Sequence, residues 1–500
     1  MVLPLDKIEI SAKELKYFSA FFVLISLLQS CPYTGRLVYP ALIVALAYGM
    51  VLLIKFFLQG KCLLKRPLFL PLFLFCAIYC VNMLLHFQDG LSTFFKNGGQ
   101  LTLAGLYFFI FFFHFSTLNS REKGDVLRFS FNIYIAGALF ISIVSLIMLL
   151  FQYQGSYFTD GVTYTIGMKA RFASNGMISY QLLGIGTSSS ILGGLCATAS
   201  FASIISLSLN GDQHRRFYIV SIIIFMLTLC AANAFTSAAI IMVFTASYVG
   251  CHYLTAASAL HGGRLARRIC KLIALMFCTL FFVYVLYYAV QGAEASVVNL
   301  FERMRVTLFS TISRIITSIT SSITSSPAVP GTTPGTTPEA PLPLPPMLIE
   351  RTLETSVRSG RLEIWAAGFE KFLEHPIFGV TNENAAVYVH DTLFVNLHNA
   401  YLTLLVGTGI IGFGLILCFG LPLLCKALHY IFTQSEDKAK PLSLMLSICL
   451  AILAGNFVNG NFVFAPSASY LLLWILLGEI YNLTFAQMEP MEFVEKEIRS

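Results

Sequence analysis

Apolar runs of about twenty residues recur along almost the whole chain, and that is the length an α-helix needs to cross a hydrocarbon core about 30 Å thick. Twelve such runs can be placed, at 17–31, 37–59, 67–87, 99–118, 126–150, 182–209, 217–232, 236–254, 271–290, 399–421, 441–460 and 467–486. Of the 500 residues, 57% belong to the set AVILMFWYC and only 11% are charged, so a soluble core of this size would lack the polar side chains to cover it. A chain solvated by lipid must look like this, with its backbone polar groups satisfied inside helices. The fold class read from the sequence is therefore an all-α polytopic membrane protein of about twelve transmembrane helices. A water-soluble globular enzyme, a disordered chain and a nucleic-acid binder are excluded.

The excess of basic over acidic residues, 32 against 25, is topological. With the N-terminus on the cytoplasmic side, the cytoplasmic segments collect twenty Lys and Arg, among them Lys61, Arg121, Lys123, Arg215, Arg264 and Lys426, while the short outer loops hold only Arg36, Lys96, Lys169 and Arg171. Positive charge stays on the cytoplasmic side of short loops, so both termini are expected there. Residues 1–16 are polar and lead into the first apolar run without a small-residue cleavage site, so no cleaved signal peptide is expected.

One connection differs in length from the rest. Nine helices over 1–290 are followed by a loop at 291–397, expected outside the cell membrane, and then by three more helices over 398–486 and a short tail at 487–500. Within the loop, 325–347 reads SSPAVPGTTPGTTPEAPLPLPPM, a Pro/Thr/Gly linker that provides reach rather than a core. Ahead of it Val298, Phe301, Leu308, Ile312, Ile315 and Ile319 recur at helical spacing, which suits an interfacial helix or one packed on the bundle. The twelve cysteines avoid this loop and read as small apolar fillers.

Two patterns are decoys. Gly407-Thr-Gly-Ile-Ile-Gly412 spells GxGxxG, but no strand precedes it and no ribose-binding acid follows, so its glycines are expected to form a flat face for close helix packing. His375, His390 and His398 share the long loop with several carboxylates, yet no HExxH, DxD or CxxC spacing appears. No metal and no cofactor is expected.

The stretch from 359 to 414 carries the chemistry. Gly360-Arg361-Leu-Glu-Ile-Trp365 opens a predicted helix with Leu362, Trp365, Phe369 and Phe372 on one face, ending at Glu374 because Pro376 blocks continuation. Pro376-Ile-Phe-Gly379 and an irregular segment follow, and then His398-Asn-Ala-Tyr-Leu enters the tenth span. A guanidinium offers planar bidentate donors to a diphosphate and stays charged, so Arg361 suits a leaving group. An imidazole, with its ordinary pKa near 6.5, suits removal of a hydroxyl proton, so His398 suits an acceptor.

Arg361, Trp365, Phe372, His375, Pro376, Gly379, His398, Asn399, Tyr401, Gly409 and Gly412 together resemble the shared region of the O-antigen ligase and O-antigen polymerase family. The resemblance implies a GT-C-like membrane enzyme of the bacterial inner membrane. It would transfer an oligosaccharide en bloc from a polyprenyl diphosphate to a glycan or glycolipid acceptor on the outer face, without metal. His398 and Arg361 would then be catalytic, and Arg361, Arg171 and Asn399 would bind the diphosphate or the substrate. Membrane lipids and other polysaccharide assembly proteins are the further partners it implies. A family arginine is missing at Ala238, within Thr236-Ser237-Ala238-Ala239, and Arg171, or less readily Arg358 or Arg351, stands in for it. Polymerase and ligase remain open, as do a flippase of lipid-linked oligosaccharide and a non-catalytic assembly partner. Against a transporter, no repeat relates the two halves of the chain, and few ionisable residues beyond Lys55, His114 and Glu479 lie in the spans.

Overall fold

The computed structural model describes residues 9–59, 63–159, 162–172, 178–186, 188–210, 214–232, 235–258, 361–390, 392–394, 397–457 and 463–486, with single positions and short pieces between 300 and 314. The predicted span at 271–290, the Pro/Thr linker and most of the predicted 298–319 helix lie outside the described residues. So do both termini.

The protein is a mostly helical membrane protein, as its apolar runs require. The long helices are α1 (Ala12–Gln29), α2 (Gly35–Leu58), α3 (Phe69–Leu85), α4 (Leu91–Thr117) and α5 (Ser120–Leu150). They continue as α6 (Ser189–Asn210), α7 (Arg215–Ala232) and α8 (Phe235–Ser258). After the loop come α9 (Arg361–Glu374), α10 (Ala400–Thr433), α11 (Glu436–Asn456) and α12 (Ala468–Tyr481). Every other predicted run coincides with one of these, and eight described helices are long and apolar enough to cross a membrane.

The packing runs as a ring. Helix α1 lies on α5, α5 on α6, α6 on α7 and α8, α8 on α11, α11 on α10 and α12, and α10 on α3. At its centre the middle of α4, Leu106–His114, winds as a π-helix whose nine residues are all buried. Phe108 meets Trp474 of α12 edge-on at 4.7 Å, and Phe419 of α10 closes on the same indole at 5.6 Å.

Two small sheets were not anticipated. Residues 154–184, read as a loop and the start of a span, form antiparallel strands β1 (Gln154–Thr159), β2 (Val162–Phe172) and β3 (Ile178–Gly184). The signal was there in the alternation Val-Thr-Tyr-Thr-Ile and in Asp160-Gly161 between the paired residues Thr159 and Val162, a strong two-residue hairpin cue. The segment read as irregular before His398 contains a second pair, β4 (Val387–Val389) and β5 (Thr392–Phe394). Because the helices alternate in direction, both sheets and α9 sit at one end of the bundle, beside the α3–α4 turn.

The other end holds a buried ion pair. Lys123 Nζ of α5 lies 2.8 Å from Glu479 Oε2 of α12, with side chains 1% and 0% exposed. The sequence places Lys123 in a solvated loop, but its position one turn into α5 folds it under α12, where Glu479 neutralises it. Removing one partner leaves a lone charge in a dry core, which costs about 3–5 kcal/mol. Glu479→Leu is therefore expected to lower the unfolding temperature in detergent far more than Lys123→Met with Glu479→Leu combined. Equal losses from the single and double replacements would contradict this.

Candidate functional site

Helix α9 ends at Glu374, as the following His375-Pro376 requires. Its packed side is not the one the spacing suggested. Ile364 and Gly368 are buried, with Ala367 and Phe372 beside them, against Val380, Ala385, Val387, Leu397 and Val406. Leu362 is 76% exposed and Phe369 50%, so these two face away from the protein. Trp365 lies at the boundary and donates Nε1 to the Leu397 carbonyl at 3.0 Å.

That bond joins the two motifs of the sequence. Arg361 opens α9 one helical turn before Trp365, and Leu397 immediately precedes His398. Arg361 is half-buried, and burial pulls its pKa down from the ordinary arginine value. A guanidinium starts so high that it still carries its charge at any working pH. Nearby, Lys371 donates to the Ala386 carbonyl at 2.7 Å; burial lowers its pKa while Glu374 opposes the shift.

His398 is half-buried and sits at φ +52, a left-handed conformation that a residue other than glycine adopts uncommonly. Strain of this kind persists only where the surroundings enforce it. Asn399, 6% exposed, is the N-cap of α10, and its Oδ1 accepts from the backbone N–H groups of Tyr401 and Leu402 at 3.0 and 3.1 Å. The asparagine thus fixes the helix start that carries His398, and its carboxamide oxygen is already engaged there.

The glycines of the tenth span do not form a flat packing face. Gly409 has φ +64 and ψ −173, a conformation essentially confined to glycine, and α10 is broken there. A break at this depth frees backbone groups that lipid cannot satisfy. The segment Pro376–Thr381 satisfies them. Val380 N–H donates to the Val406 carbonyl at 3.0 Å and Thr381 N–H to the Gly407 carbonyl at 3.0 Å, while Ile410 N–H donates to the Pro376 carbonyl at 2.8 Å. Gly379, at φ +73, passes so close that a Cβ would collide with the Val406 carbonyl oxygen. The His-Pro-Ile-Phe-Gly strap and the Gly-Thr-Gly break are therefore two halves of one structure, which is why they occur together.

Residues that the sequence reading passed over hold this structure. Asn82 of α3, 1% exposed, donates Nδ2 to the Phe378 carbonyl at 2.8 Å and to the Gly407 carbonyl at 3.2 Å, stapling strap and break at once. Asn97 of α4 donates to Thr381 Oγ1 at 3.1 Å, Tyr79 donates to Asn97 Oδ1 at 3.0 Å, and Gln100 donates to Glu383 at 2.6 Å. Thr381 is fully buried at φ +67, rare for a β-branched residue. The available signal was amide side chains inside apolar runs, where polar groups are rare and partnered.

The other expected site residues lie elsewhere. Arg171 is on β2, paired in register with Ser179, and its sheet packs on α5, α6 and α7, whereas α9 packs on α10 and β4. Arg171 and Arg361 thus belong to separate elements at the same end of the bundle. Ala238 falls in the first turn of α8, and Arg351 and Arg358 lie outside the described residues. His390 Nε2 is 3.1 Å from Glu363 on the exposed side of α9, and the His375 ring faces His86 edge-on at 6.3 Å. Among the described residues no three or more His, Cys, Asp or Glu side chains gather as a metal site.

Curated proteins include no match to this chain. The family model described as O-Antigen ligase matches residues 177–417, from β3 through α9 and the strap to the middle of α10. Over these residues, a little under half of its length, the chain is similar to the O-antigen ligase family.

Proposed function

We propose that the protein is a glycosyltransferase that moves an oligosaccharide en bloc from a polyprenyl diphosphate to an acceptor hydroxyl on the outer face of the bacterial inner membrane, without a metal ion. In this reading the end of the bundle bearing α9 faces outward and both termini are cytoplasmic. The observation that carries it is the match over 177–417, and the Trp365–Leu397 bond beside the broken α10 supports the choice of residues.

The acceptor oxygen forms a bond to the anomeric carbon of the first sugar as the bond from that carbon to the diphosphate oxygen breaks. His398 takes the acceptor proton. The electron pair of the broken bond leaves on the diphosphate, whose growing charge Arg361 stabilises. Asn399 positions His398 by capping α10, and Arg171 supplies a second cation from the three-stranded sheet. The acceptor, a further repeat in a polymerase or a glycolipid in a ligase, decides between the two named activities.

Incubating purified protein with polyprenyl-diphosphate oligosaccharide and acceptor tests the reading, with release of free polyprenyl diphosphate as the expected product. A flippase or an assembly partner would leave the carrier intact. Arg361→Lys keeps the charge and loses the bidentate fork, so a rise in KM for the donor is expected, on the order of tenfold for a lost charge-assisted hydrogen bond. A chelator should leave the rate unchanged. An unaltered KM in Arg361→Lys, or loss of activity in chelator that a divalent ion restores, would count against this chemistry.

A further inference from the structure

At the end of the bundle away from α9, a cavity of about 480 Å³ lies where the start of α1, the α2–α3 turn and the α4–α5 turn meet. Its volume is that of a small-molecule site, which is typically about 300–1,000 Å³. Donors from three elements converge on it. His114, the last residue of the π-helix in α4, lines the cavity and is 8% exposed, and its Nε2 is buried with no partner among the described residues. Folded proteins seldom leave a buried polar atom unsatisfied, so this nitrogen points to a ligand. Half-buried Arg66 lines the same cavity and forms no ion pair among the described residues. Ala12 opens α1 there, and the N–H groups of a first helical turn have no helical carbonyl to bond. Two acids complete the polar lining. Glu9 is exposed, and Glu122 accepts from the Asn119 N–H through one carboxylate oxygen at 3.3 Å.

We propose that this cavity binds a zwitterionic aminoalkyl phosphate, with the phosphate on Arg66, His114 and the α1 N-terminus and the ammonium on Glu9 and Glu122. A guanidinium, an imidazole and a helix N-terminus approach from separate elements, which suits the three oxygens of a phosphate better than the two of a carboxylate. Both acids repel a bare anion and attract an ammonium carried on the same molecule. Such a group occurs free in solution and as the headgroup of a phospholipid, and a cavity at one end of a membrane bundle is within reach of both. The proposal is independent of the chemistry assigned to Arg361 and His398.

Full-length protein, purified in detergent and freed of lipid, is titrated by calorimetry with phosphoethanolamine, with inorganic phosphate and with short-chain phosphatidylethanolamine. Phosphoethanolamine is expected to bind about tenfold tighter than phosphate, because the ammonium adds one charge-assisted contact. Equal affinity for phosphoethanolamine and its lipid identifies a soluble ligand. Binding of the lipid alone, lost when glycerol replaces ethanolamine in the headgroup, identifies a membrane lipid. Arg66→Gln should weaken binding by about 10- to 100-fold, the effect of a lost hydrogen bond between charged groups. His114→Phe keeps the ring shape without its nitrogens and should weaken binding too. Its unfolding temperature without ligand should stay level or rise, because an unpartnered buried polar atom is gone.

The proposal is overturned if neither phosphoethanolamine nor its lipid binds, if phosphate alone binds as tightly, or if the lipid binds whatever its headgroup. Unchanged affinity in Arg66→Gln would also overturn it, as would a His114→Phe variant that loses stability and keeps its affinity.

Discussion

His398→Ala should lose turnover by a factor of about 10²–10⁴, the usual contribution of a positioned general base, while still binding the donor. His398 precedes the Asn399 cap, and the hydrogen bonds described for the strap, the break and the cap are made by other residues. His398→Gly separates chemistry from folding more sharply. Glycine takes φ +52 without strain, so this variant should be more stable to heat than His398→Ala while remaining as inactive. Donor binding measured by competition with a photoreactive analogue, alongside initial rates, checks both statements. Substantial activity in His398→Gly would remove the imidazole from the mechanism.

Gly409→Ala should damage the protein more broadly. The backbone there is in a region essentially closed to other residues, and an added Cβ would run into the Ile377 carbonyl, which belongs to the strap. Strain alone costs about 1–3 kcal/mol. Displacing the strap also exposes the Val406 and Gly407 carbonyls to an environment without water, at about 1–3 kcal/mol for each group left unpaired. A clear fall in unfolding temperature together with loss of transfer is therefore expected. Gly414→Ala is the control on the same helix: nothing lies within 4 Å of its Cβ position and helix propensity favours alanine, so it should be neutral or stabilising. Similar behaviour of the two variants would mean that the break is not what holds the site.

The helices were legible because lipid leaves so few choices: an apolar run of twenty residues must become a helix, and those at 399–421 and 441–460 did so, each helix extending past its run at the end of the bundle away from α9. The β1–β3 sheet escaped because most of its residues are as polar as a connecting loop, and only the period-two alternation around Asp160-Gly161 distinguishes it. The strap was legible as a motif but not as a structure. Nothing local in Pro376–Thr381 says that its backbone will replace the missing hydrogen bonds of a helix thirty residues later, since that pairing depends on a glycine conformation and on tertiary contact. Asn82 was illegible for the same reason. An amide in an apolar run announces a partner, and only the fold says that the partner is both Phe378 and Gly407. The face of α9 was misassigned because Leu362 and Phe369 are apolar for the surroundings of the protein and not for its core.

The most direct test of the account is a structure determined with a non-hydrolysable polyprenyl-diphosphate sugar bound. The account predicts the diphosphate against Arg361 and the anomeric carbon within reach of an acceptor hydroxyl held by His398. The two side chains should then lie within about 15 Å of each other, the span over which electrostatic and acid–base groups can serve one donor. A diphosphate bound elsewhere, or the two residues farther apart with the donor in place, would contradict it.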